Sequence, residues 1–365
     1  MNIVYDNIIF ALQNAGGISV LWYELLKRII KDSDINPIIL DFPNKNIFRK
    51  KMTIPKDMIS NSSDIKLPLS INRYLTPKIP NHAGIFHSSY YRVTNNFKIP
   101  NITTVHDFTY EYFRTGIAKN IHIKQKSYAI KKSDRIICVS ENTKKDLIRF
   151  YPNISEERIN VVYNGVDDSY RVLNQKSEDE LKQIIPFTSK EYILYIGDRY
   201  SVYKNFNVAA KVSKAINIPL VIIGGGFITN KEKRYLSGIL SPGRYIHLYS
   251  LSNVTMNILY NHALCLLYPS SYEGFGIPIL EAQKAGCPVI ATNVASIPEI
   301  IGPVSTLVET PRIENIVELM RKLRDNSQFA NLQIKIGLDN SSRFSWDRCY
   351  QETKKIYMQL SGRKI

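Results

Sequence analysis

The chain has 365 residues, 44% hydrophobic and 22% charged, which is enough for two domains of ordinary globular composition and excludes a disulfide-stapled miniprotein or extensive disorder. Forty-eight Lys and Arg against 32 Asp and Glu leave a net charge of +16, a surplus that favours anionic partners such as phosphorylated ligands, nucleic acid or an anionic bilayer. The four cysteines form no CxxC pair and two lie in apolar runs, which points to reduced core thiols rather than a zinc site or disulfide framework.

In chain order, NIVYD reads as a first strand, followed by a loop and a helix that opens near GGIS and carries Leu21, Leu25 and Ile29 on one apolar stripe. This N-terminus lacks the basic start and cleavage site of a signal peptide, and no apolar run reaches about 18 residues. The expectation is a cytoplasmic protein whose membrane contact, if any, is peripheral, at the inner face of the plasma membrane. From Ile102 onward, apolar runs alternate with helical patterns: ITTVHD, RIICVS, INVVYNG, EYILYIGD, PLVIIGGG, YIHLYS, ALCLLYPS and CPVIATN. Continuous β-branched runs bounded by turn residues read as strands buried on both faces, with the helices as crossovers. The fold class is therefore α/β with parallel sheets.

The stretch from Asp167 to Lys190 carries no strong strand signal and separates two strand-rich blocks. The expected organisation is a first domain over 1–170, a second over 171–340, and a terminal segment over 341–365. Within that last segment FSWDRCYQETKKIYMQL reads as a helix with Ser345 as its N-cap. Periodicity leaves open whether it packs on its own domain or returns to the first.

The densest chemical signal runs from Tyr268 to Glu299. A strand ends at Tyr268, a loop holding Glu273, Gly274, Phe275 and Gly276 follows, and a helix begins near Ile277 and Pro278. A strand, glycine loop and helix in succession present backbone N–H groups and the positive end of a helix dipole to an anion; the plainer alternative is a tight turn with two solvated glutamates. Glu273 and Glu281 stand eight residues apart, a spacing better suited to accepting hydroxyl hydrogen bonds than to flanking a glycosidic bond as an acid and base pair. Arg199 and Lys204 follow the strand YILYI at the carboxyl edge where open α/β sheets bind ligands. Gly16 and Gly17 sit where a loop feeds a helix, suiting close backbone approach to a phosphate group, or simple loop closure. Gly224 to Gly226 lack the full GxGxxG spacing and read as a tight turn.

The run SSYEGFGIPILEA resembles the E-x7-E signature of retaining glycosyltransferases of family 4, the glycosyl transferases group 1 with the two-domain GT-B fold, among them bacterial O-antigen mannosyltransferases. An early GG, VHD at 105–107, NGVD at 164–167 and GDRYSVYKNF at 197–206 fall in the order that family shows. The resemblance implies two Rossmann-like parallel-sheet domains facing across a cleft, an N-terminal acceptor domain and a C-terminal nucleotide-sugar domain. It implies that Glu273 holds hydroxyls of the transferred sugar, Glu281 holds the ribose hydroxyls, and Arg199 and Lys204 grip the diphosphate. It also places His106 beside the donor sugar and Gly16, Gly17, Gly274, Phe275, Gly276 and Ile277 along the donor. His87 and Asp107 are weaker acceptor candidates, and the basic runs Arg49, Lys50, Lys51 and Lys124, Lys126, Lys131, Lys132, Arg135 are either solvated faces or a docking surface for an anionic leaflet.

The activity implied is transfer of a hexose, mannose first, from a nucleotide-diphosphate sugar to a growing, lipid-linked bacterial polysaccharide, with retention, no cofactor and no metal. Two cations in a water-poor cleft stabilise the charge of a leaving diphosphate. GDP-mannose is the first donor and a UDP-sugar the second. The alternatives are a nucleotide-sugar epimerase or glycosyl phosphorylase of the same fold, and a basic nucleic-acid-binding protein. Nucleic acid is not the expected partner, because the cations are scattered rather than striped among aromatics.

Overall fold

The computed structural model describes residues 1–61, 68–80, 82–174 and 178–362. The chain divides into two compact units: unit 1 comprises Met1–Gly165 and Trp346–Ile365, unit 2 Val166–Ser345. The divisions fall at Gly165 and Ser345, against the expected 170 and 340. An isolated parallel bridge joins Val166 to Ser345, the first and last residues of unit 2.

Unit 1 is built on strands β1 (Asn2–Asp6), β2 (Asn36–Asp41), β3 (Ile59–Asn61), β4 (Ile85–Ser88), β5 (Asn101–Val105), β6 (Arg135–Cys138) and β7 (Ile159–Val161). They form one parallel sheet in the order β3-β2-β1-β4-β5-β6-β7. Unit 2 has β8 (Ile193–Ile196), β9 (Leu220–Ile223), β10 (Tyr245–Leu248), β11 (Cys265–Tyr268), β12 (Val289–Thr292) and β13 (Leu307–Val308), in the parallel order β10-β9-β8-β11-β12-β13. Every residue of β4, β5, β9, β11 and β12 is buried, as strands covered by helices on both faces must be. Each order reverses once, between β1 and β4 in unit 1 and between β8 and β11 in unit 2. At such a reversal the neighbouring loops diverge to opposite faces and leave a crevice at the strands' carboxyl ends.

The C-terminal helix Trp346–Leu360 packs within unit 1 against the helix Gly17–Ile29. Its apolar side buries Trp346, Tyr350, Ile356 and Tyr357, while Asp347 pairs with Arg28 at 2.6 Å and Lys354 with Asp34 at 2.6 Å and Asp32 at 2.7 Å. The period of the helix was legible; its destination depends on partners more than 300 residues away in sequence. All four cysteines carry free, buried thiols. Among the described residues no helix is long and apolar enough to cross a membrane.

Candidate functional site

In unit 2 the loops after β8 and β11 are tied together at the reversal point. Asn205 takes a left-handed conformation (φ 51°), and its amide donates to the carbonyl of Pro269 at 2.8 Å and to Ser271 Oγ at 2.7 Å. The N–H of Ser271 donates in return to the carbonyl of Tyr203 at 2.7 Å. This lacing brings Lys204 to Glu273: Nζ donates to Oε1 at 2.6 Å and Oε2 at 2.8 Å, with the two side chains 15% and 10% exposed. The ammonium also lies 5.6 Å from the centre of the Tyr268 ring, so it is held by a carboxylate and an aromatic face at once.

The stretch from Gly274 to Gly276 is shaped by Ser296, fully buried, whose hydroxyl lies 2.9 Å from the carbonyl of Glu273 and 3.0 Å from that of Phe275. Gly276 enters the helix Ile277–Lys284 at φ +108°, a backbone region that favours glycine, and a Cβ there would sit 3.1 Å from Ile279 Cδ1. No side chain caps this helix. Within it Glu281 is half-buried and accepts a hydrogen bond from Tyr260 at 2.9 Å. Burial lifts its carboxyl to about 7, opposed by bonds from Tyr260 and Tyr170 and reinforced by the charge of Asp167.

Arg199 lies on the same loop as Lys204 and has different partners. Its side chain is fully buried, and its guanidinium donates to Glu232 at 2.7 Å, to the carbonyls of Gly225, Gly226 and Phe227 at 3.2 to 3.3 Å, and to that of Gly224. His247 Nε2 lies 2.8 Å from Nη1. Gly224, Gly225 and Gly226 are all left-handed, and a Cβ on Gly225 would meet Nη1 at 2.8 Å. The glycine triplet after β9 is therefore a carbonyl nest wrapped on Arg199. The guanidinium expected beside Lys204 on a diphosphate is held by this turn, while Lys204 lies beside Glu273.

In unit 1, His106 follows β5. It is buried with Nε2 unpartnered, and burial holds its pKa down to about 4, so the imidazole is neutral at physiological pH. Asp107 accepts from the N–H of Thr109 at 2.9 Å and thereby shapes the start of the helix Thr109–Phe113. Although burial opposes it, the charge of Lys126 keeps the Asp107 pKa below its ordinary value. The ring of His87, the weaker acceptor candidate, is fully buried, with Nδ1 2.8 Å from Tyr357 OH and Nε2 2.9 Å from Thr104 Oγ1. Gly16 caps and Gly17 opens the helix Gly17–Ile29, and a Cβ on Gly16 would meet Gln13 Oε1 at 2.7 Å.

Sequence reasoning missed a polar group at the unit 1 reversal. Asp6, at the end of β1, is fully buried, pairs with Arg92 at 3.1 Å and accepts from Ser88 at 2.9 Å. Burial raises its pKa against the pull of Arg92. The next residue, Asn7, is fully buried with neither side-chain amide atom partnered. The signal was available: two polar residues directly at the end of an apolar parallel strand mark the carboxyl-edge position where ligands bind.

Comparison with known proteins identifies the architecture. The glycosyltransferase family 4 model matches residues 15–170, and the glycosyl transferases group 1 model matches 177–337. The chain is a family 4 glycosyltransferase. It is 25% identical over 281 residues to O-antigen chain mannosyltransferase B of Escherichia coli, covering 73% of each chain. It is 26% identical over 366 residues to an uncharacterized glycosyltransferase of Methanocaldococcus jannaschii, covering 95% of each. The crystal structure of Anabaena HepE in complex with UDP-glucose superposes with a TM-score of 0.75 at 13% identity, over 98% of this chain and all of that one. WaaG, a glycosyltransferase involved in lipopolysaccharide biosynthesis, superposes at 0.68 with 12% identity, over 99% of this chain. At such identities the likeness is one of fold: two Rossmann-like parallel-sheet units, the GT-B class.

Proposed function

We propose that this glycosyltransferase moves a hexose, mannose first, from a nucleoside-diphosphate sugar to a growing, lipid-linked surface polysaccharide of a bacterium, with retention and without a metal or cofactor. The observation that carries the reading is the Lys204–Glu273 pair at the reversal between β8 and β11. Before donor binds, the lysine is neutralised by the glutamate. A diphosphate arriving at the strand ends takes a share of the ammonium, which frees carboxylate lone pairs for the hydroxyls of the attached sugar. As the bond to the anomeric carbon breaks, negative charge grows on the departing phosphate, and a cation already in place stabilises it without reorganisation.

In the same reading Gly274, Phe275, Gly276 and Ile277 bring main-chain N–H groups to the donor, and Glu281 accepts from ribose hydroxyls. Neutral His106 hydrogen-bonds the transferred sugar through the nitrogen that has no partner. Gly16 and Gly17 present the N-terminus of the helix Gly17–Ile29, and Asp107 borders the acceptor. Arg199, whose guanidinium also holds the glycine turn, grips the diphosphate together with Lys204. GDP-mannose is favoured because relatives bear the name O-antigen chain mannosyltransferase; UDP-glucose, bound in the Anabaena structure, supports a UDP-sugar as second choice. Contact with an anionic membrane, where a lipid-linked acceptor resides, belongs to the same reading.

The test is a thermal-shift screen of nucleoside-diphosphate sugars, followed by turnover of the stabilising donor with lipid-linked acceptors in the presence of EDTA. The expected result is acceptor-dependent transfer that EDTA leaves standing, with the anomeric configuration of the donor kept in the product. Conversion of donor into an epimer with no acceptor present contradicts the reading.

A further inference from the structure

The helix Gly116–Lys132 turns His122, Lys126, Ala129 and Ile130 into unit 1, so a lysine occupies the middle of the stripe that covers the core. In the sequence Lys126 belongs to a basic run that reads as a solvated face or a docking surface; its side chain is instead 1% exposed. The ammonium donates to the main-chain carbonyl of Asp107 at 2.9 Å and to Glu111 Oε2 at 2.8 Å. It lies 4.3 Å from the centre of the Phe108 ring and 5.7 Å from that of Tyr91. Glu111 is as deeply placed, with its side chain 4% exposed, and its other carboxylate oxygen has no partner among the described residues.

Stability does not ask for this arrangement. A buried ion pair suffers more desolvation than apolar side chains of the same volume, and what it adds is one fixed geometry. The geometry fixed here is that of residues 107–111, the turn that leaves β5 directly after His106. The Asp107 carbonyl, the Phe108 ring and the Glu111 carboxylate all converge on the one ammonium, and within the turn Asp107 Oδ1 accepts from the N–H of Thr109 at 2.9 Å. His106 Nε2 is buried without a partner. That nitrogen is not itself anchored, and its direction follows from the backbone that bears it.

We propose that Lys126 is a positioning residue for glycosyl transfer: its buried ammonium fixes the turn after β5 and thereby aims His106 Nε2 at the transferred sugar. Lys126 acts through His106, so the proposal rests on the reading of His106 given above. The same ammonium also acts on the charge of the ring. Burial opposes the protonated imidazole most, Asp107 favours it and Lys126 opposes it. From β4 the buried His87, held neutral by its own burial, faces His106. Around Lys126 stand Asp107, Glu111, Tyr91 and His122, and Lys119 donates to the Glu111 carbonyl at 3.0 Å. With the ammonium removed, Asp107 acts on the imidazole unopposed, and the proton binds His106 at higher pH.

The experiment compares wild type with Glu111→Gln, with Lys126→Met combined with Glu111→Gln, and with His106→Ala. The double variant removes both charges together, so no carboxylate is left buried without its cation. Glu111→Gln keeps the ammonium on the Asp107 carbonyl and offers it an amide oxygen. Circular dichroism confirms that each variant is folded, and calorimetry with GDP and UDP reads nucleotide binding. Steady-state turnover uses GDP-mannose or UDP-glucose, whichever stabilises the chain, and NMR titration follows the His106 ring, assigned by its loss in His106→Ala. The expected result for the double variant is a kcat lower by about tenfold to a hundredfold, unchanged nucleotide affinity, and a His106 ring that titrates at higher pH than in wild type. Glu111→Gln keeps most of the rate. A folded double variant with wild-type kcat or an unmoved His106 titration overturns the proposal, as does an equal loss in Glu111→Gln, which would make the ion pair purely structural. Should the double variant not fold, Glu111→Gln decides: a His106 titration at or below its wild-type pH supports the proposal, and one above it overturns it. Full activity of His106→Ala removes the reading of His106 and this proposal with it, whereas activity lost in His106→Ala and kept in the double variant removes this proposal alone.

Discussion

Glu281→Gln separates the charge of that residue from its shape. The carboxyl rises from the ordinary 4.5 to about 7, first because it is buried and then because Asp167 repels its charge, while Tyr260 and Tyr170 donate to it. That rise corresponds to about 3 kcal/mol favouring the neutral carboxyl in the folded chain. The sign follows from proton linkage: the folded state binds the proton more tightly, so stability is complete below pH 4.5, falls as pH rises through the window from 4.5 to 7, and is level above it. Glutamine imitates the neutral form at every pH. Urea unfolding should therefore show the variant more stable than wild type by up to about 3 kcal/mol at pH 8 and by less than about 1 kcal/mol at pH 5. If Glu281 accepts from ribose, nucleoside diphosphate affinity of the wild type also rises with pH through 7 and that of the variant does not. An unchanged stability difference between pH 5 and pH 8, or a variant that is less stable at pH 8, would refute the reasoning.

Lys204→Met should weaken nucleoside diphosphate binding between about tenfold and 150-fold, the range of one charge-assisted hydrogen bond, as read by calorimetry; unchanged affinity removes the cation from the site. Ser296→Ala leaves the carbonyls of Glu273 and Phe275 without their buried donor. It should cost about 1–3 kcal/mol in urea unfolding and lower turnover; a variant with wild-type stability and rate shows that the loop holds itself. Tyr357→Phe removes one bond to His87 and should cost about 1 kcal/mol of stability with turnover unchanged, whereas a folded variant without activity would place His87 in the site.

Nine of the thirteen strands among the described residues, β1 and β5 to β12, coincide with runs legible in the sequence, because a parallel strand covered by helices is largely apolar. The others are short or polar at one end: β3 has three residues, β13 two, and β4 ends in His87 and Ser88. Around the site, Glu273 and Lys204 each lie on the loop that follows a strong strand, so local pattern places both at the carboxyl edge. Arg199 has the same local pattern, yet its partners Glu232 and His247 lie 33 and 48 residues away, beyond anything periodicity reports. His87 likewise turns into the core through Tyr357, 270 residues on. Ser296 is a lone serine in the run after β12, and only the closed loop reveals what it holds.

The most direct test of the account compares Glu273→Gln with the wild type in two assays on one preparation, calorimetric binding of the nucleoside diphosphate and steady-state transfer from the intact donor sugar. The amide keeps the shape and removes the charge that faces Lys204. Nucleotide binding is expected to persist while turnover falls by about a hundredfold or more, the size of losing a transition-state contact. A folded Glu273→Gln protein that transfers sugar at near the wild-type rate would contradict the central claim.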